Sequence, residues 1–332
     1  MRVQGTQVRV QGSGSRVKGR RADGPPAAPV PGRPLRGAPT LSQALGLGHC
    51  IADLLHEGRR HLRRHGLEEA DIEAEVLLMN VLGISRASLF ARLDEAVALA
   101  DGEDYQRLLE RRMTHEPLAY ITGSKEFYGL GFYVDRRVLV PRPETETLVE
   151  ECLGLSRRRL TRGRLLADVG TGSGAIAVAV ACHLPDARVY ATDLSPEALQ
   201  VASLNCRRHA VQDRVSLHPG NLLEPLPGPV DIIAANLPYV PTSVLAGLTP
   251  EVARYEPRMA LDGGPDGMDL IGGLLTQGPG YLRPGGAIVL EIGADQAAAV
   301  IEAASRSMPG AKTRVVQDLA GLDRVVVVEL GA

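Results

Sequence analysis

The stretch "DVGTGSGAIAVAVA", residues 168–181, decides how the second half of the chain folds. The apolar "RLLADV" runs up to it, Gly170, Gly172 and Gly174 follow Asp168, and an unbroken run of small apolar residues begins at Ala175. This order predicts a strand that turns sharply into a helix, because glycine adopts the positive φ of a tight turn and lets a ligand approach the backbone. The spacing is GxGxG with an acid two residues ahead of the first glycine, not the GxGxxG of a dinucleotide site. Asp168 in that position would repel a pyrophosphate and favour the ammonium and sulfonium charges of S-adenosylmethionine. Asp193 closes the next strand, where its carboxylate can accept from two ribose hydroxyls. Thr171 and Ser173 complete the loop, and Asn221 with Leu222 after the third strand offer an amide and an apolar surface to an adenine.

Working outward, strands and helices alternate. "RLLADV", "RVYATD", "VSLHPG", "DIIAAN" and "AIVLEIG" are strands, with helices at Ala175 and through "PEALQVASLNCRRH". The pattern predicts an α/β fold, a mostly parallel seven-stranded sheet covered by helices on both faces. "RVVQD" and "RVVVVEL" close it as an antiparallel pair, joined by the short "LAGLD".

Behind "DIIAA" stands "NLPY": Asn236, Leu237, Pro238 and Tyr239. The carboxyl ends of parallel strands are where such sheets bind ligands. A planar NH2 group conjugated to a carbonyl or a ring is a poor nucleophile. The Asn236 side-chain oxygen and the Leu237 backbone carbonyl can each accept one of its N–H bonds, hold the nitrogen and enrich its electron density. Pro238 fixes the chain, and Tyr239 is expected to stack on the planar group. The bland alternative is a proline turn with a packed tyrosine.

Upstream, residues 1–40 are rich in Gly, Pro and Arg and carry net charge +7, against −9 for the rest. They cannot bury enough apolar surface to offset their ordering entropy, so a disordered extension is expected there. Residues 41–115 read as a small helical domain, opened by Thr40 and Gln43 at capping-box spacing and stopped in its second helix at Gly83. Its Arg59, Arg60, Arg63 and Arg64 form either a partner surface or a solvated face. Residues 116–145 switch to period two and predict a β-hairpin linker around Gly129 and Gly131. Pro143 opens the following helix, with Glu144 and Glu146 complementing its dipole or serving a site. The remainder, 146–332, is the α/β domain.

Cys50, Cys152, Cys182 and Cys206 form no CxxC pair and show no metal-ligand spacing, so a reduced, cytoplasmic setting and no metal are expected. No apolar run is long enough to span a bilayer. The acidic folded part disfavours nucleic acid as the direct substrate.

Taken together, "DVGTGSGAIAVAVA", "ATDLSPEAL", "ANLPYV", "EPRMALDGGPDGMDL" and "LRPGGAIVLEIG" resemble the release-factor glutamine methyltransferases, often called HemK or PrmC proteins. "RRMTHEPLAYITGSKEFYGLGFYVDRRVLVPRPETE" is similar to that family's linker. The resemblance implies a Rossmann-like class I S-adenosylmethionine-dependent methyltransferase; a monomer is expected, though the sequence itself does not give the oligomeric state. It further implies N5-methylation of the glutamine in the GGQ loop of class 1 peptide chain release factors. Asp168, Gly170 to Gly174, Asp193, Asn221, Leu222 and Asn236 would then hold the cofactor, and Asn236 to Tyr239 the glutamine. Leu237 stands where the family usually has proline, and Asn221 where it usually has aspartate. The Asn-Leu-Pro-Tyr element is also similar to that of adenine dimethyltransferases, so an adenine amine of RNA or DNA is the alternative acceptor.

Overall fold

The computed structural model describes residues 49–159 and 164–331; the expected extension at 1–40 and the Thr40–Gln43 cap lie outside them. Four helices come first: α1 (Ile51–Arg64), α2 (Ala70–Leu82), α3 (Arg86–Ala91) and α4 (Leu99–Met113). Asp53 closes the first turn of α1 by accepting the Cys50 backbone N–H at 3.1 Å. Gly83 ends α2 at φ 63°, the left-handed stop that glycine supplies without strain. Leu54, Leu62, Leu77 and Leu109 belong to an apolar cluster of the helices' own. Of the arginine run, Arg59 bonds Glu75 at 2.7 Å and Arg63 bonds Asp71 at 2.5 Å. Those two residues tie α1 to α2.

A short helix, α5 (Leu118–Thr122), leads into the hairpin of β1 (Ser124–Phe127) and β2 (Leu130–Tyr133). Tyr128 and Gly129 turn it at φ 51° and 70°, the two-residue geometry whose twist matches the strands. Helix α6 (Glu146–Arg159) follows a single 3-10 turn at Pro143–Thr145. Glu146 accepts the Tyr128 backbone N–H at 2.8 Å and thereby fixes the hairpin to α6.

Seven strands then form one sheet: β3 (Leu165–Val169), β4 (Arg188–Asp193), β5 (Val215–Pro219), β6 (Val230–Ala235), β7 (Leu282–Glu291), β8 (Lys312–Gln317) and β9 (Asp323–Glu329). Their order is β5-β4-β3-β6-β7-β9-β8. β3 to β7 are parallel, and β9 runs antiparallel to both its neighbours. This is the class I methyltransferase architecture expected above. Residues Ile232 to Ala235 of β6 are all buried, as a strand covered on both faces requires. On one face Ile232 and Ala234 join α6, α7 (Ala175–His183) and α8 (Pro196–Arg208). On the other, Ile233 and Ala235 join α10 (Asp269–Tyr281) and α11 (Ala297–Ser307). Between β6 and α10 lie one short α-helix, α9 (Pro250–Tyr255), and two 3-10 turns at Leu245–Gly247 and Arg258–Ala260.

Helix α10 has no clear sequence signal, since four glycines and Pro279 interrupt its period. Packing explains one of them: a Cβ on Gly278 would lie 2.6 Å from Ile288 Cδ1, so the missing side chain admits β7. The chain runs outward from β3 to β4 and β5, then returns to its other side at β6. The carboxyl ends of β3 and β6 therefore border the switch point where open α/β sheets form a crevice.

Candidate active site

The glycine loop is fastened to the end of β4. Gly170 and Thr171 each donate a backbone N–H to the Thr192 carbonyl at 2.9 Å. Gly172 donates to Asp193 Oδ2 at 2.8 Å, while Asp193 Oδ1 accepts from the Ser195 backbone at 2.9 Å. The three glycines all have positive φ but serve different ends. A Cβ on Gly172 would meet nothing within 4 Å, one on Gly170 would crowd Leu237 at 3.1 Å, and one on Gly174 would press on Ala202 of α8 at 3.2 Å. Gly174 is thus a helix-packing residue.

Gly170, Thr171, Gly172, Ser173, Asp193, Asn221, Leu222, Asn236, Leu237 and Pro238 border one cleft. Asp168, Gly174 and Tyr239 are not on its wall. Asp168 is 1% exposed and braces the loop from beneath, accepting the Thr171 hydroxyl at 2.6 Å and the Ala177 N–H at 3.0 Å. Leu222 holds φ 49°, a strained value for a side-chain-bearing residue, with its carbonyl tied to the Thr192 hydroxyl at 2.8 Å. Asn221 donates to Glu224 at 3.0 Å.

Asn236 borders the same cleft at the end of β6, its backbone carbonyl oxygen 3.9 Å from where a Cβ on Gly170 would stand. Its Nδ2 donates at 3.0 Å to Oγ1 of Thr145, another residue of the cleft wall, so the donating end of the amide is engaged and Oδ1 is the end left to accept. Leu237 is 3% exposed, packed into the apolar cluster between sheet and α10. Tyr239 is half-buried behind the wall, its hydroxyl 3.4 Å from Glu291 Oε1 and its carbonyl accepting from Gln296 at 2.9 Å. The expectation that its ring stacks in the cleft is therefore not what this geometry shows.

Several residues that matter here carried no assignment from sequence. Thr145, which orients Asn236, sits between two glutamates that drew attention by charge. Gly263 and Gly267 lie on the Pro238–Tyr239 backbone: a Cβ on Gly263 would be 2.7 Å from the Pro238 carbonyl oxygen, and one on Gly267 would be 2.2 Å from that of Tyr239. Val240 bonds Leu261 and Gly263 at 3.0 and 2.9 Å, so "LDGGPDG" runs as a cover strip along "NLPYV". Arg142, also on the cleft wall, bonds Glu256 at 2.6 Å. Beyond it, the α9 segment is fastened to the helical region by Arg112 with Glu251 and by Thr114 with Tyr255.

Residues 53–123 match the family model described as the PrmC N-terminal domain, and 146–259 match that of ribosomal protein L11 methyltransferase (PrmA). The release factor glutamine methyltransferase of Moorella thermoacetica is 46% identical over 86% of this chain and 96% of its own length. That of Geobacter sulfurreducens is 42% identical over 85% and 97%. Among solved structures, the release-factor-specific protein-(glutamine-N5) methyltransferase of Alicyclobacillus acidocaldarius is 31% identical, covering 60% of this chain and all of that one, with a TM-score of 0.38.

Two buried carboxyls flank the site. Burial raises Asp168 to about 6, against the pull of its Thr171 and Ala177 bonds. Burial raises Glu291 to about 7, opposed by Thr145, Arg324 and Tyr239 and reinforced by Glu144. A carboxyl whose pKa is raised on folding binds its proton more tightly in the folded state, so its contribution to stability falls as pH rises from its unfolded value through its folded one. We predict that Glu291→Gln, which cannot ionise, matches the parent protein near pH 4.5 and gains on it up to about pH 7, by at most about 3 kcal/mol. Urea unfolding across that range checks this; a difference that is flat or of opposite sign contradicts it.

Proposed function

Since the chain belongs to the release factor glutamine methyltransferase family, we propose that it methylates the side-chain amide nitrogen of the glutamine in the GGQ loop of class 1 peptide chain release factors, with S-adenosylmethionine as donor. The observation that supports this reading is the bond from Asn236 Nδ2 to Thr145 Oγ1 on the wall of the cleft, which engages the donating end of the amide and leaves Oδ1 to accept.

The cleft suits an adenosyl group. Asp193 keeps lone pairs beyond its two backbone bonds for a ribose diol, Gly172 leaves its flank open, and Leu222 gives an apolar face. S-adenosylmethionine, when bound, supplies a methyl carbon made electrophilic by its sulfonium. The chain's part is orientation. Asn236 Oδ1 and the Leu237 carbonyl accept the two N–H bonds of the glutamine amide and aim its lone pair. As that nitrogen gains positive charge these bonds strengthen, and one proton then leaves to water. No strong base is needed, because orienting two reactants can supply roughly 7 kcal/mol of the barrier. Leu237 serves as well as proline here, since the acceptor is its backbone oxygen and its side chain is locked by packing. The helical region grips the release factor, and its ties to α9 bring that partner to the mouth of the cleft.

Methyl transfer to purified release factor, RNA and DNA tests the substrate. Labelled protein is expected; labelled nucleic acid with unlabelled protein would replace this reading by the adenine one. Asn236→Ala should lower kcat by on the order of 100-fold or more while leaving cofactor affinity nearly intact, Asn236 being a minor part of the cofactor's hold. Asp193→Ala should weaken the cofactor first, by roughly tenfold or more. Equal loss of both properties in both variants contradicts the division of the cleft. Gly263→Ala, whose Cβ meets fixed backbone, should cut turnover by on the order of 100-fold with an unchanged far-ultraviolet spectrum, and full activity would refute the strip's role.

A further inference from the structure

We propose that Arg142 receives the carboxylate of the methionyl portion of S-adenosylmethionine, on the guanidinium N–H bonds that its partner Glu256 leaves free. The inference rests on the donor named above and deepens that reading by saying how the cleft balances the donor's negative end. Among the described residues two cations border the cleft, Arg137 and Arg142. Arg137 is occupied: its Nε and Nη2 bond Asp135 at 2.9 and 2.6 Å, and its Nη1 donates to Gln200 at 3.0 Å. The Arg142 side chain bonds Glu256 alone, through Nη2 at 2.6 Å. It keeps 35% exposure beside a Glu256 side chain that keeps 1%. Since a guanidinium carries its donors in a planar fork, most of that fork is left for a guest.

The glycine loop cannot take the carboxylate in its place. A loop of this kind at a helix start can hold an anion on its backbone N–H groups. Here they are committed within the protein, those of Gly170 and Thr171 to the Thr192 carbonyl, that of Gly172 to Asp193 and that of Gly174 to the Thr171 carbonyl at 2.8 Å. Asp193 on the wall and Asp168 beneath the loop suit an ammonium and a sulfonium but repel a carboxylate. A cation with donors to spare restores the balance, and Arg142 is that cation.

Its place in the cleft agrees. The Thr145 N–H bonds the Arg142 carbonyl at 3.1 Å and Thr145 Oγ1 holds Asn236, so Arg142 belongs to the Asn236 wall while Asp193 belongs to β4. In the cofactor the methyl group and the amino-acid chain leave the same sulfur. With the ribose on Asp193 and the methyl beside Asn236, the carboxylate at the end of that chain falls to the wall that carries Arg142. Glu256, which ends α9, braces the guanidinium from its other side. The α9 segment has ties of its own to the helical region, Arg112 with Glu251 and Thr114 with Tyr255, so its seat does not hang on Arg142.

Titration calorimetry on the full chain tests the contact without turnover, using S-adenosylmethionine and its decarboxylated form, which lacks the carboxylate and carries a higher net positive charge. The parent protein should bind S-adenosylmethionine the tighter of the two, by roughly tenfold or more. In Arg142→Leu that preference should vanish or reverse, because the acids that remain favour the dication, and affinity for the decarboxylated form should not fall. Arg142→Lys should keep part of the preference, as a point charge without the fork. In Glu256→Gln, where no carboxylate competes for Arg142, the preference should widen. If Arg142 serves only to fasten α9, Arg142→Leu and Glu256→Gln will weaken both ligands alike, and that result overturns the proposal, as does a parent protein with no preference. A preference that depends on Arg142 in a protein that methylates no glutamine sinks the proposed acceptor alone. Release-factor methylation with the preference unchanged in Arg142→Leu sinks the Arg142 assignment alone.

Discussion

A side-chain amide has an accepting end and a donating end of nearly the same shape, and the one that faces a cleft decides what the cleft can hold. In this chain the choice is made by the bond from Asn236 Nδ2 to Thr145 Oγ1, which joins the end of β6 to the turn before α6. With its donating end engaged, the amide is left as an N–H acceptor, which suits a substrate that brings N–H bonds of its own. Reversed, the same residue would suit a carbonyl. The hairpin contributes at a distance, since Glu146 anchors its turn to the helix that follows Thr145.

Holding that bond in place demands backbone packed against backbone. The strip around Gly263 and Gly267 lies on Pro238 and Tyr239 with no room for a Cβ, and Gly170 backs onto the Leu237 side chain. The two motifs that build the cleft therefore touch each other directly. A movement in the glycine loop is felt at Leu237, and Asp168 beneath the loop fixes its curvature through Thr171 and Ala177. Rigid placement of this kind is what a reaction without a strong base depends on.

The sheet, its order of helices and strands and the loop were legible because they rest on local rules: glycines at a turn, buried β-branched runs, and period changes. That Asn236 and Asp193 border the cleft was legible because both stand at strand ends, where such sheets form their crevice. What escaped was tertiary. Thr145 and Glu291 are unremarkable in their own segments, and only the β6–β7 register and the position of the 143–145 turn bring them to Asn236. The charges of Glu144 and Glu146 drew notice while the hydroxyl between them does the orienting. Gly174, read as part of a ligand loop, yields its space to α8, and Asp168 acts under the loop where a direct contact was expected. Tyr239, expected to stack in the cleft, directs its hydroxyl at a buried carboxylate, which no single-segment pattern could reveal.

A crystal structure of the chain with S-adenosylhomocysteine and a glutamine-bearing peptide tests the central claim most directly. The account predicts the glutamine amide nitrogen about 3 Å from both Asn236 Oδ1 and the Leu237 carbonyl oxygen, with Asn236 Nδ2 still on Thr145. A bound glutamine whose carbonyl oxygen meets Asn236 Nδ2, or one seated away from Asn236 altogether, would contradict it.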